Sequence, residues 1–355
     1  LQALRREIDR VDRAIQDAIS ERAHLARRVA EAKQESGDRE DFYRPEREAE
    51  ILREVIRRNP GPLPDEEVAR LFREIMSACL ALERPLRIAY LGPAGTFTQA
   101  AALKHFGHSV ETAPLDAIDQ VFREVESGEA HYGVVPVENS SEGVVTHTLA
   151  TFVSSPLQIC GEVSLRIHHC LFSPEADLGA VARVYSHQQS LAQCRRWLDT
   201  HLPRAERVGV SSNAEAARLA LAEPGAGAVA GEVAGETYGL HLLAADIEDE
   251  PDNTTRFLII GRRAVPPTGE DKTSILLSAH NRPGALYQLL EPLAQEGISM
   301  TRIESRPSRR LAWDYFFFVD LEGHREDPRV ASALERIADQ ASALKVLGSY
   351  PRAVM

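Results

Sequence analysis

The sequence predicts a multidomain protein: an all-α domain, then an α/β domain, then a smaller α+β domain. Residues 1–84 contain only two glycines and are dense in Arg, Glu, Ala and Leu, which are strong helix formers. Residues 87–263 alternate short apolar runs with helical stretches, and residues 272–355 repeat this alternation on a smaller scale. Pro85 and the Pro266-Pro267 pair lie in polar stretches between these regions, as linkers often do.

The composition excludes several classes of protein. The 355 residues carry a net charge of -12, so the chain lacks the basic face that general nucleic-acid binding requires. No apolar run approaches the ~20 residues of a membrane span, and the N-terminal residues are charged, unlike a secretory signal. The four cysteines are scattered without a CxxC pair, as in reduced cytosolic proteins. We expect a cytoplasmic protein that binds no nucleic acid, membrane or metal.

The first domain is predicted to contain three helices, of which the first is unusually long. Its apolar residues recur at helical spacing over residues 4–36: Leu4, Ile8, Val11, Ile15, Ile19, Ala26 and Val29. The other helices are predicted to begin near Pro45 and after Pro64. A helix of about 33 residues is roughly 50 Å long, whereas a compact domain of ~85 residues has a radius of gyration of only ~12 Å. Two short helices cannot cover such a stripe, so we predict an intertwined dimer.

Cations fall on the apolar stripe of the long helix. Arg22 and Lys33 lie near its centre, and Arg5 lies beside it. A long side chain at the edge can extend to water, but a buried charge needs a partner, which favours an anion pocket over a purely structural role. Arg22 and Lys33 are about 16 Å apart along the helix and can reach one ligand; Arg5, about 42 Å from Lys33, can join them only from a second chain. The other two helices add further polar candidates: Arg47, Glu48, Cys79 and Glu83.

These residues resemble the all-helical type of chorismate mutase, an intertwined dimer whose sites each take one arginine from the partner chain. The resemblance implies that Arg22, Arg47 and Arg5 of the second chain bind the two carboxylates of chorismate. Lys33 and Glu83 would flank the breaking ether oxygen, and Glu48 would take the ring hydroxyl. The rearrangement needs no nucleophile or metal, only a reactive conformer and donors at the oxygen that becomes negative.

Three positions depart from the best-known pattern of that family. Glu83 stands where many members have glutamine, so it must be protonated, with a pKa above the ~4.3 of a free glutamate, to donate to the ether oxygen. Cys79 takes a position that is often serine. Arg44 falls where an aspartate is often found. We include all three among the candidate substrate contacts.

Polar groups end several predicted strands of the middle region, which are expected at 87–91, 133–137, 160–165, 183–185, 226–230 and 256–260. Strands alternating with helices predict a largely parallel sheet. The motifs are LGPAGTFTQAA (91–101), VVPVENSSEG (134–143), YSHQQSLAQC (185–194), SSNAEAA (211–217) and NTTRF (253–257). Each alone is compatible with helix capping or turn formation.

In this order the motifs resemble prephenate dehydratase, over essentially all of residues 87–263. The resemblance implies a two-lobed, periplasmic-binding-protein-like fold that removes water and carbon dioxide from prephenate to give phenylpyruvate, without a cofactor. It implies Thr255 as the essential hydroxyl. The other implied substrate contacts are Thr96, Asn139, Ser140, Ser186, Gln193, Ser212, Asn213, Arg256 and Phe257. His168 and His169 are expected to be structural residues at a strand end, since no ligand spacing supports a metal.

The last region is predicted as a βαββαβ unit, the ferredoxin-like pattern, with strands at 273–279, 298–306, 313–321 and 344–348 and helices at 284–296 and 328–340. NRPGALYQLL (281–290) and RIESRPSR (302–309) resemble an ACT domain of the phenylalanine-sensing kind. ACT domains pair side by side and bind amino acids at their interface. The implied allosteric residues are Asn281, Pro283, Gly284, Ala285, Leu286, Glu304, Ser305 and Arg306.

The three resemblances stand in the order of the bifunctional P-protein family of phenylalanine biosynthesis. We therefore expect chorismate and prephenate as substrates, no cofactor, inhibition by phenylalanine, and a homodimer. Whether two dimers associate further is left open. Two alternatives also stay open: arogenate as the substrate of the α/β domain, and a non-catalytic module that binds amino acids.

Overall fold

The computed structural model describes residues 1–35, 43–141, 143–279, 282–307 and 315–354. The helices are α1 (Gln2–Glu35), α2 (Pro45–Arg57), α3 (Asp65–Ala81), α4 (Phe97–Phe106), α5 (Ile118–Ser127), α6 (Thr146–Phe152), α7 (Gln188–Gln193), α8 (Arg195–His201), α9 (Asn213–Ala222), α10 (Glu232–Tyr238), α11 (Ala285–Gln295) and α12 (Pro328–Gln340). The strands are β1 (Arg87–Leu91), β2 (Glu111–Leu115), β3 (Tyr132–Asn139), β4 (Gly143–Val144), β5 (Gln158–Arg166), β6 (Cys170–Ser173), β7 (Arg183–His187), β8 (Glu206–Val210), β9 (Ala226–Ala230), β10 (His241–Ala244), β11 (Thr254–Gly261), β12 (Asp271–Ala279), β13 (Met300–Pro307), β14 (Tyr315–Glu322) and β15 (Ala343–Pro351).

The helical domain contains one long helix and two shorter ones, as predicted. Helices α2 and α3 pack around Leu52, Ala69 and Met76. Only the C-terminal part of α1 joins this packing, and Ala30 is buried there. Most of its apolar stripe faces solvent, with Ile8 58% and Ile15 52% exposed. The chain's own helices therefore leave most of this apolar stripe uncovered. Among the described residues, no helix combines the length and the apolarity needed to cross a membrane.

The middle region forms two lobes, each built on its own sheet. The first sheet has the order β2-β1-β3-β11-β5, with β4 paired to β3, and the second has the order β10-β6-β9-β7-β8. The prediction of largely parallel sheets is wrong, since both are mixed. Strand β1 is parallel to β2 and β3, but β11 is antiparallel to both β3 and β5. The chain leaves the first lobe along β5 and returns along β11, so the two crossings lie side by side in opposite directions.

The C-terminal region has the predicted ferredoxin-like topology, with strand order β13-β14-β12-β15. One face of this sheet packs on α11 and α12 through residues that include Leu277, Leu289 and Ile337. The other face packs on the first lobe, where Leu276, Phe318, Leu347 and Tyr350 share a core with its residues. Both faces are thus covered. The sheet and the first lobe approach so closely that a β-carbon at Gly348 would overlap the backbone of Ile159.

Candidate functional sites

A cavity of about 290 Å³ opens between the two lobes. We call it the interlobe cavity. Six of the predicted residues line it: Thr96, Asn139, Gln193, Ser212, Asn213 and Thr255. These residues come from both lobes. Asn139 and Thr255 lie on β3 and β11 of the first lobe, whereas Gln193, Ser212 and Asn213 belong to the second lobe. The position matches the general rule that ligands of α/β folds bind outside the ends of the strands.

Asn139 orients the hydroxyl of Thr255. The Asn139 Nδ2 group donates to Thr255 Oγ1 and to Asn253 Oδ1, each at 2.8 Å. The Asn139 Oδ1 atom accepts the backbone N–H of Ser141 at 2.9 Å, which fixes which end of the amide is the donor. Thr255 Oγ1 therefore accepts a hydrogen bond from Asn139, and its own O–H is left to donate. Thr255 is only 9% exposed, so a ligand there would meet this donor with little competing water.

The second lobe contributes a helix start that is held by a polar network. The Ser212 hydroxyl accepts the backbone N–H of Glu215 at 3.0 Å and so caps α9. The Asn213 Oδ1 atom accepts the backbone N–H of His187 at 3.0 Å and lies 2.9 Å from Ser186 Oγ. The Asn213 Nδ2 group donates to Ser190 Oγ at 2.9 Å. Ser186 is fully buried beneath Asn213. It supports the cavity wall from behind.

His169 belongs to the cavity wall, which sequence reasoning missed. Its Nε2 atom lies 2.8 Å from Gln193 Oε1, and its ring packs edge-on against Phe97. Burial lowers the pKa of His169, although the hydrogen bond with Gln193 opposes this shift. The neutral ring donates from Nε2 to Gln193, so the Gln193 amide nitrogen is left to donate. The only sequence signal was a histidine at the start of a buried strand.

His168, predicted to be structural, lies in a separate polar cluster between β5 and β6. Its Nδ1 atom lies 2.7 Å from Asp246 Oδ1 and 3.0 Å from Glu248 Oε1. Histidine and carboxylates are the right ligand types for a metal. Here, however, they already contact each other directly, and Glu248 also accepts the backbone N–H of His169 at 2.9 Å. These contacts hold the strand end.

Besides Ser186, three predicted contacts do not line the interlobe cavity. Arg256 is on the opposite face of β11, because neighbouring strand residues point to opposite sides and Thr255 already faces the cavity. Its guanidinium binds Glu162 at 2.8 Å and Asp320 at 2.6 Å instead. Phe257 is buried in the core of the first lobe. Ser140 is exposed and closes a loop, since its hydroxyl accepts the backbone N–H of Thr254 at 3.0 Å.

Arg22, Lys33 and Glu83 come together where α1 meets α3. Arg22 and Lys33 are partly buried. Burial raises the pKa of Glu83, while the positive charges of Lys33 and Arg22 act in the opposite direction. Cys79 is buried one turn before Glu83. The cluster combines two cations with a carboxyl group that burial biases toward its neutral form, as a dianionic ligand with a hydrogen-bond acceptor would require.

The remaining predicted residues of the helical domain do not join this cluster. Arg5 is exposed at the far end of α1, and Arg44 is exposed just before α2. Arg47 is also exposed and pairs with Glu50 at 3.0 Å. Glu48 points elsewhere, since its Oε1 atom lies 3.5 Å from Arg73 Nε.

Glu48 faces the junction between the helical domain and the first lobe. On α2 it shares the packed face with Leu52 and Val55, at the i, i+4 and i+7 positions, whereas Arg47 lies off this face. Burial raises the pKa of Glu48 to about 7, and Arg73 opposes the shift. Tyr43 and His105 line the same small cavity. The prediction that Glu48 joins Arg22 and Lys33 is therefore wrong within one chain.

The two motifs predicted to bind phenylalanine lie at the same end of the C-terminal sheet. Ala279 pairs with Tyr315, which pairs with Pro307, so β12 and β13 end together. Gly284 adopts a left-handed conformation (φ +78°) that precedes α11. Around it, Pro283 and Leu286 are exposed and Ala285 is partly buried; Asn281 lies outside the described residues.

On β13, burial alternates along the second motif. Glu304 and Arg306 are partly buried against the first lobe, whereas Ser305 is exposed. The Arg306 guanidinium donates to the Thr146 hydroxyl at 3.0 Å and to the Thr146 carbonyl oxygen at 3.3 Å. The predicted effector strand thus contacts the α/β domain directly.

Comparisons with known proteins agree with this architecture. The family model of chorismate mutase type II matches residues 4–84, that of prephenate dehydratase matches residues 88–265, and that of the ACT domain matches residues 273–339. A bifunctional chorismate mutase/prephenate dehydratase of Stutzerimonas stutzeri is 58% identical over 100% of this chain and 98% of its own length.

Two solved structures resemble the chain beyond the helical domain. Prephenate dehydratase from Arthrobacter aurescens in complex with L-Phe is 38% identical, with a TM-score of 0.68 over 76% of this chain and 90% of that one. GqqA, described as a novel type of quorum quenching acylase, is 32% identical, with a TM-score of 0.71 over 76% of this chain and 98% of that one. These two structures match only part of the chain, whereas the relative from Stutzerimonas stutzeri matches all of it. The chain belongs to the family of bifunctional chorismate mutase/prephenate dehydratases.

Proposed function

We propose that the chain catalyses two successive reactions. Residues 1–84 rearrange chorismate to prephenate at the Arg22–Lys33–Glu83 cluster, and residues 87–263 convert prephenate to phenylpyruvate in the interlobe cavity. Phenylalanine bound by residues 272–355 inhibits the second reaction. The observation that supports this most strongly is the Thr255 hydroxyl, which Asn139 orients as a donor inside a cavity between two lobes.

The first reaction needs geometry and charge rather than a nucleophile. Chorismate is a dianion, so Arg22 and an Arg5 from a second copy can hold its carboxylates and bring the reacting carbons together. Lys33 and a protonated Glu83 donate to the ether oxygen, where negative charge develops as the C–O bond breaks. Each site then needs two chains, and the exposed stripe of α1 is the surface on which they pair.

The second reaction removes the ring hydroxyl and the ring carboxyl group together. Thr255 donates its proton to the departing hydroxyl, which leaves as water, and then regains a proton from solvent; the electron pair of the breaking C–C bond completes the aromatic ring as carbon dioxide leaves. The Gln193 amide and the start of α9 offer N–H donors to the remaining carboxylate. The driving force is the aromaticity of the product, and the chain supplies orientation and proton donation.

The substrate is tested by comparing kcat/KM for prephenate and arogenate with the purified full chain. We expect prephenate to be preferred, because the described polar side chains that line the cavity are amides, hydroxyls and the imidazoles of His169 and His187, and they include no carboxylate of the kind that an ammonium group favours. A preference for arogenate would keep the site and change the substrate. No turnover of either compound would favour the non-catalytic module.

Replacing Thr255 should separate the two activities. We expect Thr255→Val to lower dehydratase kcat by about 10²-fold or more, as loss of a positioned proton donor does, and Thr255→Ser to retain most of the activity. Mutase activity, measured on the same preparation, should stay unchanged. The matched control is Thr254→Val, one residue earlier on the same strand. Equal losses in the two valine variants would refute the role given to Thr255.

The pH dependence of the mutase should report on Glu83. Because the protonated form donates to the ether oxygen and burial raises the pKa of Glu83, mutase kcat should fall as the pH rises through that pKa. Glu83→Gln keeps a donor at every pH and should flatten the profile. A wild-type profile that is already flat would contradict a protonated Glu83.

Subunit complementation tests the shared mutase site. We expect Arg5→Ala and Arg22→Ala each to be inactive alone. When the two variants are unfolded together and refolded, half of the dimers are mixed and each has one intact site, so about a quarter of the sites should be active. Recovery is measured as chorismate consumption. If the mixture stays as inactive as its parents, Arg5 and Arg22 do not act from different chains.

A further inference from the structure

Asn139 and Thr255, which line the interlobe cavity, have a second pair of residues on the opposite face of the same sheet. In the β3–β11 ladder, Thr255 is opposite Asn139 and Arg256 is opposite Glu138. Neighbouring residues of a strand point to opposite faces of the sheet. Asn139 and Thr255 therefore face the cavity, while Glu138 and Arg256 face the C-terminal domain. We call Glu138 and Arg256 the back-face pair.

The C-terminal sheet holds both members of the back-face pair. Arg302 of β13 places its Nε atom 3.0 Å from Glu138 Oε2. Arg256 donates to Asp320 of β14 at 2.6 Å and to the Tyr350 hydroxyl of β15 at 3.0 Å. The side chains of Arg256 and Asp320 are only 15% and 8% exposed, so their charges interact with little screening by water, whereas Arg302 is 11% exposed and its partner Glu138 is 40% exposed.

The two arginines differ in how many of their guanidinium nitrogens have a hydrogen-bond acceptor. Every nitrogen of the Arg256 guanidinium has an acceptor, since Nε also binds Glu162. Arg302, in contrast, leaves its Nη2 group buried without an acceptor among the described residues. A fully bonded buried cluster is costly to rearrange, whereas a partly satisfied one is held less firmly. Arg302–Glu138 is therefore the contact that a small movement of β13 can change.

Strand β13 also carries the predicted phenylalanine residues. Arg302, Glu304 and Arg306 share its inner side, and Ser305 lies between the last two. A ligand bound at residues 304–306 would therefore lie on the same strand as Arg302, at a separation of two to four residues. A shift of this strand would move Arg302, which contacts Glu138, and Glu138 is adjacent to Asn139.

We propose that Arg302 of the C-terminal domain is a positioning residue of the dehydratase site, which sets the geometry of Asn139 and Thr255 through Glu138. Effector binding on β13 acts by altering this contact. The inference rests on the proposed function, which it extends by naming the route of regulation. Arg302 touches no substrate, and its effect reaches the reaction only through the β3–β11 ladder.

The test compares the Arg302→Gln and Arg302→Lys variants with the unaltered protein, all as full-length chains. We expect dehydratase kcat to fall about tenfold in Arg302→Gln with KM within about twofold, and Arg302→Lys to restore part of it. Mutase kcat/KM in the same preparations should not change. The matched control is Arg336→Gln, which removes an arginine paired with Glu296 at 3.9 Å between α11 and α12. It should leave both activities unchanged.

A double-mutant cycle and phenylalanine binding complete the experiment. The losses in Glu138→Gln and Arg302→Gln should not add in the double variant. Calorimetry should show that Arg302→Gln still binds phenylalanine while its inhibition is weakened. Additive losses, full inhibition, or a parallel loss of mutase activity would each overturn the inference. If the wild-type chain does not turn over prephenate at all, the proposed function fails instead.

Discussion

The antiparallel pairing of β3 with β11 is the constraint on which the dehydratase site depends. It places Asn139 beside Thr255 on one face of the first sheet and Glu138 beside Arg256 on the other. Strand β11, along which the chain returns from the second lobe, pairs with β3 on one side and with β5, the strand on which the chain left, on the other. A hydroxyl and the amide that orients it are therefore fixed by backbone hydrogen bonds rather than by a loop. The same bonds bring the C-terminal sheet within reach of the site.

The helical domain follows a different constraint, which is the length of one helix. α1 has 34 residues, and its own domain covers only its C-terminal part. Arg22 and Lys33 lie in the covered part near Glu83, while Arg5 lies far out along the uncovered part. In the proposed dimer, one chain supplies Arg22, Lys33 and Glu83 to one site and Arg5 to the other. The proposed pairing of two copies would account both for the exposed stripe and for the separation of Arg5 from the other cations.

Much of this could be predicted from the sequence, because the strongest patterns were local. As predicted, α2 begins at Pro45, α3 begins directly after Pro64, and α12 has the bounds 328–340. Thr255 and Asn139 were chosen on the resemblance to prephenate dehydratase, whereas the polar residues at strand ends by themselves indicated only where a ligand could bind. Arg256 was misplaced because it follows Thr255 in the sequence, whereas neighbouring residues of one strand point to opposite faces of the sheet. The environments of Glu48 and His169 depend on which domain packs against the elements that carry them, and no local sequence pattern indicates this. The short edge strands β2, β8 and β10 carried too few apolar residues to be recognised.

The most direct test of the central claim follows one reaction mixture over time. Purified chain is given chorismate alone, and chorismate, prephenate and phenylpyruvate are measured with and without phenylalanine. The account predicts that chorismate disappears, prephenate rises and then falls, and phenylpyruvate accumulates. It also predicts that phenylalanine stops the last step while chorismate is still consumed. Chorismate that stays untouched, or phenylpyruvate that forms equally fast at saturating phenylalanine, would contradict it.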